Sequence, residues 1–178
     1  MFKSIYYYID KFNRDEIYKL NKSINIIYRN YSASFNTIEI LELVNFCKKQ
    51  RRKVYISNNL KLALKFNFDG VYLPSFNKQT KQNLYYKKKN FSVIGSAHNI
   101  YQIKNKELQK AEYIFISPIF YKKKIKNRLG VHSFNYLSKF TKIKTIALGG
   151  INKINIKKIA LTNAKGFASI SYINNIYQ

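Results

Sequence analysis

Residues 145–152 read TIALGGIN, and residues 166–171 read GFASIS. Each is a short extended run that stops at small residues. In the first, Ala147-Leu148-Gly149-Gly150-Ile151 ends one strand and opens a helix; in the second, Ser169-Ile170-Ser171 follows another. Two glycines let a backbone approach an anion closely, and free N–H groups at a helix start face it. Gly149 and Gly150 also suit a plain tight turn, but the hydroxyls and N–H groups of the matching second loop favour a shared phosphate site. Barrels of alternating β and α elements carry such a site after their seventh and eighth strands.

Working outward from this pair, six more apolar runs precede it, with helical stretches between. The runs are Ser4–Ile9, Ile24–Arg29, Val54–Ser57, Gly70–Leu73, Ser92–Gly95 and Tyr113–Ile116, then Thr145–Leu148 and Gly166–Ser169. Helices are expected over Asn13–Leu20, Asn36–Gln50, Asn59–Phe66, Ile100–Gln109, Ser133–Phe140 and Asn152–Leu161, with only a stub after the last strand. The stretches Lys78–Asn90 and Tyr121–Gly130 read as basic loops, the first with some helical character. Strands that alternate with helices pair in parallel through right-handed crossovers. Eight such units predict an α/β fold, a compact (β/α)8 barrel in one domain. No Gly-x-Gly-x-x-Gly follows the first strand, which argues against a dinucleotide fold. At 178 residues, against about 250 for the usual barrel, the helices and loops must be shortened.

The formal charge is +25, from 33 Lys and Arg against 8 Asp and Glu. Such a balance suits nucleic acid or an anionic membrane. Here the lysines are spread through every segment, and Lys, Asn, Ile, Tyr and Phe are enriched together, the residues that an AT-rich coding sequence supplies. Compositional drift is therefore preferred to a nucleic-acid interface, and the field would still draw in phosphorylated substrates. Cys47 is the only cysteine, so neither an internal disulfide nor a four-thiolate metal site can form. It lies on the apolar face of a helix, where burial is expected. The first residues lack the apolar core of a signal peptide, and no window approaches a membrane-spanning helix. The expected setting is cytoplasmic, without membrane or specific nucleic-acid partners.

Strand ends offer Arg29, Asn58, Asn77, Ser96, His98 and Ser117. Arg29 closes an otherwise apolar strand, a costly place for a charge unless it meets an anion or an acid, or simply reaches solvent at the rim. His98 suits a helix cap or a neighbour's hydrogen bond as well as chemistry, and His132 reads as a surface residue. No His, Asp and Glu grouping has metal-ligand spacing.

Several segments together resemble the thiamine-phosphate synthase/TenI family: VYISNNLKLALKFNFDGVYL (54–73), VIGSAHN (93–99), AEYIFISPIF (111–120), ALGGINKIN (147–155) and GFASISYI (166–173). They fall in the family's order and spacing, and Ile27-Tyr28-Arg29 is similar to its Gln-Leu-Arg strand end, so the resemblance spans nearly the whole chain. It implies a transferase of thiamine biosynthesis that joins a pyrimidine pyrophosphate to thiazole phosphate, with Mg2+ holding the pyrophosphate. It implies further that Gly149, Gly150, Ile170 and Ser171 take the thiazole phosphate with Ser117 nearby, that Arg29 contacts pyrophosphate, and that Ser96 sits near the reacting centre.

The departures from the family pattern are specific. Its two metal-binding aspartates align with Asn58 and Asn77, neutral oxygens that hold Mg2+ much less well. Its strand-two Gln is Ile27 and the following Lys is Tyr31. The Thr-x-Thr-Lys that grips pyrophosphate is Lys122-Lys123-Lys124-Ile125, and Lys122 and Lys124 could supply part of the missing counter-charge. Pro118 stands where the TenI tautomerase branch has its catalytic His. Three readings follow: a lysine-assisted synthase, a degenerate barrel that binds a phosphorylated small molecule without turnover, and, on charge alone, a nucleic-acid-binding protein. A clipped last helix leaves a barrel flank that a homodimer would cover.

Overall fold

Asparagine side chains start the first four helices. Asn13 accepts from the N–H groups of Asp15 and Glu16 ahead of α1 (Arg14–Lys19), and Asn36 from those of Ile38 and Glu39 ahead of α2 (Thr37–Lys49). Asn59 and Asn99 each accept one such bond, ahead of α3 (Leu60–Lys65) and α4 (Ile100–Leu108). Each satisfies donors that the first helical turn leaves unpaired.

The exits of α2, α3 and α4 are equally alike. Arg51, Asn67 and Lys110 take left-handed backbone angles, with φ of 55°, 55° and 57°. The residue after each returns its N–H to a carbonyl three residues inside the helix end: Arg52 to Cys47, Phe68 to Ala63, Ala111 to Lys106. This is the Schellman closure, and a strand begins within two residues of each. Repeated tight exits explain how 178 residues can complete a barrel.

The computed structural model describes residues 2, 4–31, 36–80, 90–121 and 128–177. Its strands are β1 (Ser4–Ile9), β2 (Ile24–Tyr28), β3 (Val54–Ser57), β4 (Gly70–Leu73), β5 (Ser92–Ala97), β6 (Tyr113–Ile116), β7 (Lys144–Leu148) and β8 (Gly166–Ala168). All pair in parallel with their sequence neighbours, and β8 returns to β1 with Gly166 opposite Ser4. The expected closed eight-stranded barrel is the observed one.

Strand alternation divides the core in two. Inward residues Tyr6, Tyr8, Ile27, Tyr55, Tyr72, Ile94, Phe115, Ile146 and Ala168 fill the lumen. Their outward neighbours, such as Tyr7, Ile26, Val54, Val71 and Ile114, pack under the helices. Aliphatic branched residues usually fill such a lumen; here Tyr6 and Phe115 meet edge to face at 4.8 Å, and Tyr72 and Phe115 at 5.6 Å.

Two segments differ from expectation. Residues 152–161 form a 3-10 helix, Ile156–Leu161, instead of a full α-helix. The Asn152 amide oxygen takes the N–H groups of Ile154 and Asn155, while Asn155 takes that of Asn152, so side chains close the turn before an α-helix can start. Helix α5 covers Gly130–Ser138, earlier than the expected Ser133–Phe140, and the stub after β8 is a short helix, α6 (Ser171–Tyr177). Among the described residues no helix is long and apolar enough to cross a membrane.

Arg52 is the unexpected structural residue. Its buried guanidinium donates to the carbonyls of Asn21, Ile24, Ile17 and Leu20, joining the end of α1 to the start of β2. Arg52→Met removes all four donations, although the Ile17 and Asn21 carbonyls keep the N–H groups of Leu20 and Ile24. It is expected to cost about 3 kcal/mol in urea unfolding; an unchanged midpoint would contradict this role. Cys47 is fully buried, and desolvation pushes its thiol from 9.0 to about 12. Three pH units leave about a thousandfold less thiolate. Labelling of Cys47 by a thiol reagent should therefore await unfolding; native labelling as fast as that of the unfolded chain would refute it.

Candidate phosphate-binding site

At the carboxyl ends of β1, β2, β7 and β8 lies a cavity of about 570 Å³. Its wall includes Tyr8, Arg29, Leu148–Asn152 and Ala168–Ser171. The two loops that open the sequence argument thus share one space, and Arg29 faces it with them.

Each half of the cradle is fixed by its neighbours. Ser169, just past β8, donates its hydroxyl to the Ile151 carbonyl at 3.1 Å and accepts the Tyr172 N–H at 3.1 Å. One buried side chain therefore ties the turn after β7 to the start of α6. Asn155 donates to the Gly150 carbonyl at 2.8 Å, and the Gly149 carbonyl accepts from the Phe120 N–H at 3.0 Å. The N–H groups of Gly150, Ile151, Ile170 and Ser171 donate to no other described residue. Unpaired N–H groups at a cavity wall suit an anion.

The glycines have a structural reason as well. At Gly150, with φ of 72°, a Cβ would lie 2.5 Å from the Phe120 and Tyr121 carbonyl oxygens. At Gly149, with φ of 95°, it would lie 3.0 Å from the Pro118 side chain. Both glycines are required by left-handed backbone under residues 118–121, and they line the cavity in that conformation.

Arg29 is exposed, with its guanidinium 4.8 Å from the Tyr8 ring centroid and no carboxylate partner among the described residues. A cation resting on an aromatic face keeps its donors free for a planar or tetrahedral anion.

A family model described as thiamine monophosphate synthase matches residues 12–173. The chain belongs to this family. Among its relatives, a thiamine-phosphate synthase of Prochlorococcus marinus is 34% identical over 140 residues, covering 76% of this chain and 40% of that protein. A protein of Aquifex aeolicus named putative thiamine-phosphate synthase 2 is 30% identical over 160 residues, covering 88% of this chain and 74% of that one. The chain thus spans less than half the length of the Prochlorococcus relative. Among solved structures, a thiamine phosphate pyrophosphorylase from Pyrococcus furiosus superposes with a TM-score of 0.76 at 19% identity, covering 94% of this chain and 85% of that one; at that identity the likeness is one of fold.

Against the thiamine monophosphate synthase pattern, the structure gathers only part of the expected set. Arg29, Gly149, Gly150, Ile170 and Ser171 line one cavity. Ser96 does not: it is buried near the carboxyl end of β5, within reach of the Tyr72 hydroxyl. Ser117 is likewise buried, with its hydroxyl 3.2 Å and its carbonyl 2.7 Å from His98 Nδ1. His98 brackets the ends of β5 and β6 through these contacts. His132 is exposed on α5, as expected. Lys122 and Lys124 lie outside the described residues.

Asn58 and Asn77 do meet, at the ends of β3 and β4, where Asn77 Nδ2 donates to Asn58 Oδ1 at 2.6 Å. Tyr8 as the platform for Arg29 was not foreseen, because alternation on β1 assigns it only to the lumen. Lys106 was missed too. It is buried on α4, donating to the carbonyls of Pro74 and Asn77 and to Gln109 Oε1. Its stem runs across Gly95, where a Cβ would lie 2.8 Å from Lys106 Cδ. Desolvation pushes its ammonium from 10.5 to about 8, which leaves it mainly charged at neutral pH. Its place three residues after Ile103 on the inner helix face was the available signal.

Gly150→Ala is expected to lower the melting temperature and weaken inorganic phosphate binding about tenfold by calorimetry. Unchanged phosphate affinity would show that this turn does not form the anion site.

Proposed function

We propose that the chain acts as a thiamine-phosphate synthase, joining a pyrimidine pyrophosphate to thiazole phosphate. The observation that carries this reading is the single cavity in which Arg29 faces the unpaired N–H groups of the β7 and β8 loops. The reaction needs two anions held apart by the width of the joined rings. The thiazole nitrogen forms a bond to the pyrimidine methylene carbon while that carbon's bond to the pyrophosphate oxygen breaks, and the electron pair leaves on pyrophosphate.

In this reading the cradle of Gly150, Ile151, Ile170 and Ser171 takes the thiazole phosphate through backbone N–H groups. Arg29 takes the departing pyrophosphate, where its paired donors match adjacent oxygens and gain strength as negative charge develops. Tyr8 orients Arg29 from below. Ser96 acts through Tyr72, setting the shape of the lumen floor beneath the reacting carbon. Lys122 and Lys124 would add counter-charge.

A second reading has its own support. The paired amides of Asn58 and Asn77 stand where the family's acids would be, which suits a barrel that binds a phosphorylated small molecule without turnover. Incubation of the protein with both substrates, followed by chromatography for thiamine phosphate, separates the two. The synthase reading expects product, with turnover reduced about a hundredfold in Arg29→Ala and only partly restored in Arg29→Lys. Binding of thiazole phosphate without product would overturn it in favour of the second reading.

A further inference from the structure

The corner formed by Asn58 and Asn77 is closed by hydrogen bonds whose direction is fixed. The backbone N–H of Gln79 donates to Asn77 Oδ1 at 2.8 Å. A backbone N–H can only donate, so the atom facing it must be the amide oxygen. The amide nitrogen of Asn77 then points at Asn58, and Asn58 must answer with its oxygen. Gln109 Nε2 adds a second donor to Asn77 Oδ1, at 3.2 Å, and another to the Asn77 carbonyl, at 3.0 Å.

The backbone holds both residues to this geometry. Asn58 has left-handed angles, with φ of 56°, and its N–H donates to the Tyr72 carbonyl at 2.8 Å. Asn77 N–H donates to the Pro74 carbonyl at 3.0 Å. The Lys106 ammonium then joins Pro74, Asn77 and Gln109 from within, at 2.9, 3.0 and 2.7 Å. No carboxylate belongs to this network, and among the described residues no three His, Cys, Asp or Glu side chains come together.

Two carboxylates at this separation would repel unless a cation stood between them; two amides attract without one. Each amide oxygen is already engaged, and a fixed positive charge lies one hydrogen bond behind Asn77. The residues present therefore do not fit a divalent cation. We propose that the chain has replaced a metal bridge between the ends of β3 and β4 by a neutral amide clamp, positioned by Gln109 and Lys106, so that this corner keeps its shape without Mg2+.

The test needs no turnover and no organic ligand, so it stands apart from the fate of the synthase reading. Mg2+ alone is titrated into the wild-type protein, Asn77→Asp and Asn58→Asp/Asn77→Asp, by calorimetry and by melting temperature. The wild type is expected to show no saturable binding and no shift. Asn77→Asp places two oxygens face to face, so it should melt lower without metal and regain its melting temperature as Mg2+ is added. The double variant should do so more strongly. Saturable Mg2+ binding by the wild type that is lost in Asn58→Ala would overturn the proposal. So would Asp variants that fold yet ignore Mg2+, since the geometry would then not be that of a bridged pair. If the double variant fails to fold, the single variant and the wild type still decide.

Discussion

A closed barrel must fill its own lumen, and in this chain tyrosine does most of the filling. Tyr6, Tyr8, Tyr55 and Tyr72 project inward from β1, β3 and β4 and meet Phe115 from β6. Rings of this size bury more area each than the usual aliphatic residues, and they hold eight very short strands around a common axis. Everything at the carboxyl face rests on that plug. Tyr8 is its uppermost ring on β1, and Arg29 lies on it. Ser96 sits beside Tyr72 at the same level. A site usually described by its loops is here supported by the aromatic floor under them.

The fold was legible because its signals were local and repeated. Alternating runs marked the strands, and the stretches between them placed the first four helix starts to within a residue. What could not be read was what depends on partners distant in sequence. Nothing local distinguishes Arg52 from the chain's other cations; four carbonyls from the α1–β2 connection converge on it only in the folded barrel. Lys106 carried no local sign beyond its helical spacing from Ile103, and the groove over Gly95 and the carbonyls after β4 make a buried place for it. Asn152 and Asn155 matched a helix start in type, but their mutual bonds closed the turn first.

The site divides along the same line. The cradle of β7 and β8 was readable, since glycines and small hydroxyl residues at two strand ends are a pattern within short segments. That Arg29 shares a cavity with that cradle was suggested only by the family resemblance, and barrel closure through β1 and β8, which brings the end of β2 near them, supplies its physical reason. Ser96, expected near the reacting centre, and Ser117, expected near the phosphate, instead spend their side chains on Tyr72 and His98. At Asn58 and Asn77 the sequence showed two lost charges, whereas the structure shows a bond gained between the same residues.

The tyrosine plug also sets an alkaline limit on the fold. Burial raises the phenols of Tyr6, Tyr8, Tyr55 and Tyr72 above their ordinary value of 10.0. Below that pH the hydroxyls keep their protons whether the chain is folded or not, and their burial costs nothing extra. Above it the unfolded chain gives up those protons while the barrel cannot, so stability drains away as the pH climbs. With no tryptophan in the sequence, the phenolate band that appears beyond the share of exposed tyrosines such as Tyr18 and Tyr101 would report the opening of the barrel: the residues that pack the axis are also its indicator dye.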